Sequence, residues 1–244
     1  MIDTHAHLDA LEDPSGAIER ARAAGVDSIV AIGSGLGSTR ATLALADAAQ
    51  GVRVAAGIHP HQAADGETVA ELAALIDGKV VAVGEIGLDF YRDYAPRDEQ
   101  RRVFAEQLGL AADLRKPVIV HSRAADAETA AMLEEFDGTV VLHCFSSAAL
   151  LPVALERGYY VSFAGNVTYP KAEELRGAAA QVAPDRILAE TDCPYLAPQP
   201  VRGKTNEPAY VVHTVASLAR VRREDPQELG SRIEANAAAA FALP

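Results

Sequence analysis

Imidazole and carboxylate side chains recur in this chain where short apolar runs end. The first run carries His5 and His7, and the ends of five later runs carry His59, Glu85, His121, His143 and Asp192. Five of the seven histidines therefore stand at such run ends. Burying so many polar groups without partners would be costly, so we interpret the set as a centre that binds metal ions.

The spacing within this set indicates how the ions would be held. Residues two apart on a strand share a face, so the imidazoles of His5 and His7 can converge on one ion. Two ions would share one carboxylate: the first bound by His5, His7, Glu85 and Asp192, the second by Glu85, His121 and His143. A bridged pair about 3.5–4 Å apart can hold the attacking and leaving oxygens of a displacement. Ligands of this kind admit Zn²⁺, Mn²⁺, Fe²⁺ or Ni²⁺, and Mg²⁺ more weakly, so the identity of the metal stays open.

The elements around these residues alternate in type along the whole chain. Strand-like runs cover residues 1–5, 28–33, 52–59, 80–86, 118–121, 139–144, 159–164 and 186–192. Helix-like stretches cover residues 14–24, 38–50, 67–77, 97–116, 125–136, 147–157, 171–181, 207–220 and 226–241. Eight such repeats in roughly 250 residues predict an α/β protein with a closed (β/α)8 TIM barrel.

An open, doubly wound parallel sheet is the structural alternative. Such a sheet normally has a glycine-rich phosphate turn after its first strand, whereas here the run ends in His5-Ala6-His7. No linker or change of composition divides the chain, so we predict that residues 1–244 form one domain. In a barrel of this kind the chemistry lies at the carboxyl ends of the strands, where the polar residues above stand.

Composition limits the class of protein. The chain has 244 residues, 49% of them hydrophobic, and a formal charge of −12 from 34 acidic and 22 basic residues. An acidic surface repels nucleic acid as a whole, so a phosphate substrate needs a locally positive site such as bound metal. No run reaches the roughly 18 apolar residues of a membrane span. Two cysteines and no secretory signal predict a cytoplasmic protein with no membrane association.

Several stretches of the chain resemble the TatD family of metal-dependent deoxyribonucleases, within the amidohydrolase-type barrels. They are residues 2–9, 57–61, 84–91, 117–123, 142–145, 190–196 and 202–208. The resemblance implies a barrel hydrolase of DNA, exonucleolytic by analogy, with six metal ligands: His5, His7, Glu85, His121, His143 and Asp192. The chain departs from the family pattern at Ala127, where an acid is usual, and at Asn166, where an apolar residue is expected.

The expected mechanism is attack on phosphorus by a hydroxide that bridges two divalent ions, which are Mg²⁺, Mn²⁺ or Zn²⁺. Asp192 is predicted to be the general base and Glu85 the bridging catalytic carboxylate. We expect His59, Arg123 and Arg202 to contact the substrate phosphate.

Four further assignments concern residues near the centre. Glu190 is expected to support the ligands from behind, and Asn206 to cap a helix. Cys144 is expected to point away from the site, and both cysteines to be small buried residues. A last group of aromatic residues either stacks an end nucleotide or packs over the barrel mouth: Phe90, Tyr91 and Tyr94.

Two other functions fit the same ligand set. The first is hydrolysis of a carboxylic ester or amide, for instance by a D-aminoacyl-tRNA deacylase or a lactonase. The second is metal-dependent binding without catalysis, which the completeness of the ligand set disfavours. We predict DNA or another phosphoester as the partner, and no obligatory protein partner.

Overall fold

A computed structural model describes residues 1–243 of the chain. Eight parallel strands form one sheet in sequence order. They are β1 (Ile2–Ala6), β2 (Ser28–Ser34), β3 (Val52–Gly57), β4 (Val80–Asp89), β5 (Val118–Arg123), β6 (Val140–Leu142), β7 (Tyr160–Phe163) and β8 (Ile187–Ala189). The sheet closes where the segment after β8 meets β1, with the His7 amide donating to the Cys193 carbonyl at 2.9 Å. The predicted (β/α)8 barrel is thereby confirmed.

Nine α-helices lie in the described part of the chain, residues 1–243. They are α1 (Pro14–Ala23), α2 (Leu36–Ala48), α3 (Val69–Ala73), α4 (Arg97–Leu114), α5 (Asp126–Leu133), α6 (Leu151–Arg157), α7 (Glu173–Gln181), α8 (Val211–Arg222) and α9 (Pro226–Phe241). The helix α3 is much shorter than the stretch at 67–77 that the sequence predicts, and it begins at a capping box between Thr68 and Glu71. Within residues 1–243, none of these helices is both long enough and apolar enough to cross a bilayer.

The core fills the barrel and the layer between its strands and the surrounding helices. Buried Val, Ile and Ala side chains of the strands pack against Phe104 of α4 and Phe241 of α9, both almost inaccessible to solvent. A smaller cluster centred on Val54 and Leu72 lies under α3. Because this packing fixes the strands, the side chains at their carboxyl ends are held on a rigid frame.

Four strands end earlier than their apolar runs suggest: β3 at Gly57, β6 at Leu142, β7 at Phe163 and β8 at Ala189. His59, His143 and Asp192 were expected at strand ends, but they lie in the segments that follow β3, β6 and β8. Cys144 and Asp192 have φ values of 43° and 55°, in the left-handed region. Strand alternation therefore does not apply to Cys144. The prediction that it points away from the site is wrong, because the residue lines the cavity at the strand ends, and burial together with the carboxylates of Asp192 and Glu190 raises the pKa of its thiol.

Two glutamines of α4 fix the ends of β3 and β4. The Gln107 amide donates to the Ile58 carbonyl at 3.0 Å and accepts from the Ile58 amide at 2.7 Å. Gln100 does the same for Asp89, accepting from its amide at 2.9 Å and donating to its carbonyl at 3.1 Å. Both glutamine side chains are buried, so α4 holds the backbone beside His59 and under Asp89 in a defined place.

The contact between β4 and β5 depends on the absence of a side chain at Gly87. Its φ is +137°, and a Cβ there would lie 2.0 Å from the His121 carbonyl oxygen. We expect Gly87→Ala to lower the free energy of unfolding by about 1–3 kcal/mol, because β5 must move away. The same shift displaces His121 from Glu85, so metal affinity should fall as well.

Urea unfolding and a metal titration measure both effects. Gly109→Ala is the matched control, since no atom of residues 1–243 outside the helix's own backbone lies within 4 Å of a Cβ at this position of α4. Alanine is favoured over glycine in a helix by about 1 kcal/mol, so this variant should be slightly more stable. Unchanged stability and metal affinity in Gly87→Ala would show that the contact is unimportant.

Candidate metal centre

The carboxyl ends of the strands open into a cavity of about 850 Å³. Histidine and carboxylate side chains line its floor: His7, His59, His61, Glu85, Asp89, His121, His143 and Asp192. His5 lies directly beneath them and is fully buried. The structure thus brings together all six residues that were expected to bind metal.

Glu85, on β4, stands at the middle of this arrangement. Its Oε2 lies 3.5 Å from the Nε2 atoms of both His5 and His7. Its Oε1 faces the other way, 2.8 Å from Nδ1 of His121 and 2.7 Å from Nε2 of His143. One carboxylate therefore presents a separate oxygen to each of two imidazole pairs.

Asp192 completes the side of the centre that His5 and His7 form. Its Oδ1 lies 3.5 Å from Nε2 of His7 and 3.8 Å from Nε2 of His5. The two imidazole Nε2 atoms are themselves 3.3 Å apart. The Asp192 amide donates to the His5 carbonyl at 2.9 Å, so the backbone that carries the carboxylate is joined to β1.

Two further carboxylates lie behind the histidines and orient them. Glu190 Oε1 is 3.2 Å from Nδ1 of His143 and also accepts from the Cys144 amide at 2.7 Å. Asp89 Oδ2 lies 3.3 Å from Nε2 of His121 and 2.8 Å from Nε2 of His61. A histidine that donates one N–H to such a carboxylate keeps the lone pair of its other nitrogen for a metal. His143 and His121 therefore present Nε2 and Nδ1, respectively, to Glu85.

The pKa shifts at the centre favour ionised carboxylates and a positive charge close to them. Burial raises the pKa of Glu85, but His143, His59 and His121 outweigh it and hold the pKa well below its usual value. Burial also raises the pKa of Asp192, yet the contact with His7 and the charge of His143 bring it below normal. Burial lowers the pKa of His143, while Glu85 and Glu190 raise it well above normal. Both ligand carboxylates are thus ionised at neutral pH.

The donor set fits divalent metal ions. The ion pairs of Glu85 and Asp192 within residues 1–243 are all with imidazoles, and no lysine or arginine of that range neutralises them. Nitrogen atoms that would repel one another when protonated lie 3.3 Å apart in His5 and His7. Imidazole and carboxylate ligands of this kind, with oriented tautomers, suit Zn²⁺, Mn²⁺ and related ions.

His59 is close to the centre but its tautomer differs from those of the ligands. Nδ1 of His59 accepts a hydrogen bond from the His61 amide at 3.1 Å. Burial lowers the pKa of His59 to about 4, so the ring is neutral and carries its proton on Nε2. That N–H is 3.3 Å from Glu85 Oε1 and faces the cavity. A protonated Nε2 donates a hydrogen bond and does not ligate a metal.

Comparisons with known proteins show which family this chain belongs to. The sequence profile described as TatD related DNase matches residues 2–242. The chain belongs to this family. It is 35% identical to the uncharacterized metal-dependent hydrolase YabD of Bacillus subtilis, covering 100% of this chain and 99% of that protein.

A second relative and a solved structure agree with this placement. The 3′-5′ ssDNA/RNA exonuclease TatD of Cronobacter sakazakii is 38% identical, covering 92% of this chain and 90% of that protein. The crystal structure of YjjV, a TatD homologue of Escherichia coli K12, has a TM-score of 0.90 at 32% identity, covering 100% and 98% of the two chains. The expected TatD-family membership is therefore confirmed, and the chain is a metal-dependent hydrolase.

Of the three residues predicted to contact the substrate phosphate, His59 and Arg123 line the cavity and Arg202 is not among its described lining residues. The Arg123 guanidinium lies over the Tyr91 ring at 4.2 Å. Arg202 stacks on Tyr169 at 4.0 Å instead. Asn166, the departure from the TatD pattern, lies in the cavity wall.

Asn206 does not cap a helix. It is completely buried, and its amide donates to the Thr191 carbonyl at 2.8 Å and to the Tyr195 carbonyl at 2.6 Å. These bonds hold both ends of the segment that carries Asp192. The 3-10 helix that follows it, Pro208–Tyr210, is capped by no side chain of the described residues. Asn206 therefore positions a loop of the site rather than a helix.

Sequence reasoning missed two carboxylates of the centre. Asp89 orients His121, and Asp3 links β1 to the segment after β8 by accepting from the Thr191 amide at 2.9 Å. Burial raises the pKa of Asp3 to about 8, against the hydrogen bonds from Thr191 and His5. A signal for both was present, since Asp3 alternates with His5 along β1, and Asp89 lies four residues after Glu85 along β4.

Proposed function

We propose that this TatD-family chain hydrolyses phosphodiester bonds of single-stranded DNA from a strand end, with two divalent ions. The observation that carries the proposal is the position of Glu85, whose two oxygens face two separate imidazole pairs. Such a bridging carboxylate is typical of two-metal phosphoesterases. Relatives support the proposal, because one of them is named a 3′-5′ ssDNA/RNA exonuclease.

The proposed ligands divide between the two sides of Glu85. His5, His7, Glu85 and Asp192 would hold the first ion, and Glu85, His121 and His143 would hold the second. We propose Mg²⁺, Mn²⁺ or Zn²⁺ as the metal. When bound, the ions neutralise the charge of the phosphodiester and make water acidic enough to attack it.

The side chains then have separate tasks. Asp192 accepts the proton of the attacking water, a role that its ionised carboxylate at the cavity floor suits. His59 donates its Nε2–H to a phosphate oxygen, and Arg123 binds the phosphate from the rim. Arg202 reaches the substrate only if its guanidinium leaves the Tyr169 ring, so we assign it the outermost phosphate contact.

The acidic surface favours a strand end over duplex DNA. With a net charge of −12, the protein cannot coat the duplex, whereas the cavity accepts an end whose phosphate reaches the ions.

We propose that residues 1–244 act as one domain, with DNA or RNA as the partner. Because Cys144 and Cys193 are free thiols, we also propose a reducing compartment, the cytoplasm.

The competing function is hydrolysis of carboxylic esters or amides. A comparison of several substrates distinguishes it from phosphodiester hydrolysis. Metal-loaded protein is given end-labelled single strands, the matching duplex, p-nitrophenyl acetate and a D-aminoacyl-tRNA. We expect a ladder of products that shortens from one end of the single strand, and slower cleavage of the duplex. Rapid deacylation without any phosphodiester cleavage would contradict the proposal.

A further inference from the structure

Every aromatic side chain that is more than half exposed within residues 1–243 lies near the cavity mouth. These are Tyr91 at 65%, Tyr94 at 66% and Tyr195 at 58%. Tyr91 already has Arg123 over its ring at 4.2 Å, and Phe90, which is only partly exposed, has Arg97 over its ring at 4.5 Å. Tyr94 and Tyr195 line the cavity, and neither has a guanidinium stacked on it among the described residues.

The two rings lie on opposite sides of the metal centre. Tyr94 follows β4 and Tyr195 follows β8, which are four strands apart in an eight-stranded barrel. The Tyr195 ring meets His7 edge to face, with centroids 6.0 Å apart. The Tyr94 ring meets His61 in the same way at 4.8 Å. Each ring therefore borders a different edge of the centre.

Both rings are carried on anchored backbone. Tyr195 donates its amide to the Asp192 carbonyl at 2.9 Å, and its carbonyl accepts from Asn206 at 2.6 Å. The residue after Tyr94, Ala95, is buried, and its carbonyl accepts from Gln100 of α4 at 2.9 Å. The rings are thus exposed to solvent and carried on fixed backbone, which is the arrangement of a stacking platform.

We infer that Tyr94 and Tyr195 stack two unpaired bases, one on each side of the phosphodiester that lies at the metal centre. This inference rests on the proposed function and specifies its substrate. A paired base cannot leave its stack without cost, so two platforms favour single strands. Stacking tolerates any base, so no sequence preference is required.

Abasic residues test this inference. Single strands are made with a natural base, or with a tetrahydrofuran abasic residue, at the terminal or at the penultimate position. Their cleavage is compared for the wild type, Tyr94→Leu and Tyr195→Leu. Loss of a stacked base should lower kcat/KM of the wild type by about tenfold to one-hundredfold. Each leucine variant should show the same fall in kcat/KM on the natural strand. It should show no further fall on the strand that lacks the base which the replaced ring would stack.

The conservative variants Tyr94→Phe and Tyr195→Phe keep the ring and should restore the wild-type discrimination. If removing the ring and removing the base each lowered kcat/KM, and the two fold-losses multiplied when combined, the ring and the base would be independent. That result would overturn the inference while leaving the nuclease proposal intact. So would coupling of both rings to the same base. A wild type that cleaves none of the strands would overturn the proposed function, and the inference with it.

Discussion

Asp192→Asn is expected to lower the turnover of phosphodiesters by about 10²–10⁴-fold at saturating metal. The amide keeps one oxygen near His5 and His7, so it can still occupy the ligand position, but it cannot accept the proton of the attacking water. The fold should persist, because the contact of residue 192 with β1 is made by its backbone amide. Steady-state hydrolysis of bis(p-nitrophenyl) phosphate across metal concentrations measures the effect.

A carboxylate far from the centre supplies the control for this variant. Asp225 accepts hydrogen bonds from the Gln227 and Glu228 amides at the start of α9. Asparagine is as good a helix cap as aspartate, so Asp225→Asn should keep both stability and turnover. Near-normal turnover of Asp192→Asn at saturating metal would refute its role as base.

Glu85→Gln is expected to weaken binding of both ions together and to abolish most hydrolysis. One of its oxygens becomes an NH₂ group, which donates and cannot ligate, and the remaining oxygen is neutral. Loss of residues that only support metal ligands costs about 10–100-fold, so removal of a bridging ligand should cost at least about 100-fold in metal affinity. Calorimetric titration with Mn²⁺ gives affinity and stoichiometry in one experiment.

The matched control here is Glu224→Gln. Glu224 is a partly buried carboxylate paired with Arg222 and Arg232, between α8 and α9. This variant should lose some stability, because two guanidinium groups lose their partner, yet bind metal as the wild type does. If Glu85→Gln retained two ions of normal affinity, Glu85 could not be the bridge.

The barrel and the gathering of the ligands follow from the sequence, for an identifiable reason. Parallel strands covered on both faces are almost wholly apolar, so a histidine or glutamate at the end of a run, such as His121 or Glu85, stands out. The closed barrel then dictates that all such ends meet at one rim. Glu190 could be anticipated in the same way, because it precedes Asp192 by two residues.

Features set by loop backbone could not be predicted. β6 ends at Leu142, and Cys144, in the left-handed conformation, lines the cavity, against the period of a strand. Arg202 lies on Tyr169, whose hydroxyl also donates to the Ala197 carbonyl in the loop after β8. Tyr195 lacks any sequence signal as a platform, since its position depends on the bond between its carbonyl and Asn206.

The central claim is that the histidine and carboxylate centre performs metal-dependent phosphodiester hydrolysis. Its most direct test is cleavage of end-labelled single-stranded DNA by metal-stripped protein, re-supplied in turn with Mg²⁺, Mn²⁺ and Zn²⁺, beside Glu85→Gln treated identically. We predict cleavage that at least one ion restores in the wild type, and that the variant lacks. Tight metal binding by the wild type without cleavage under any of the three ions would contradict the account.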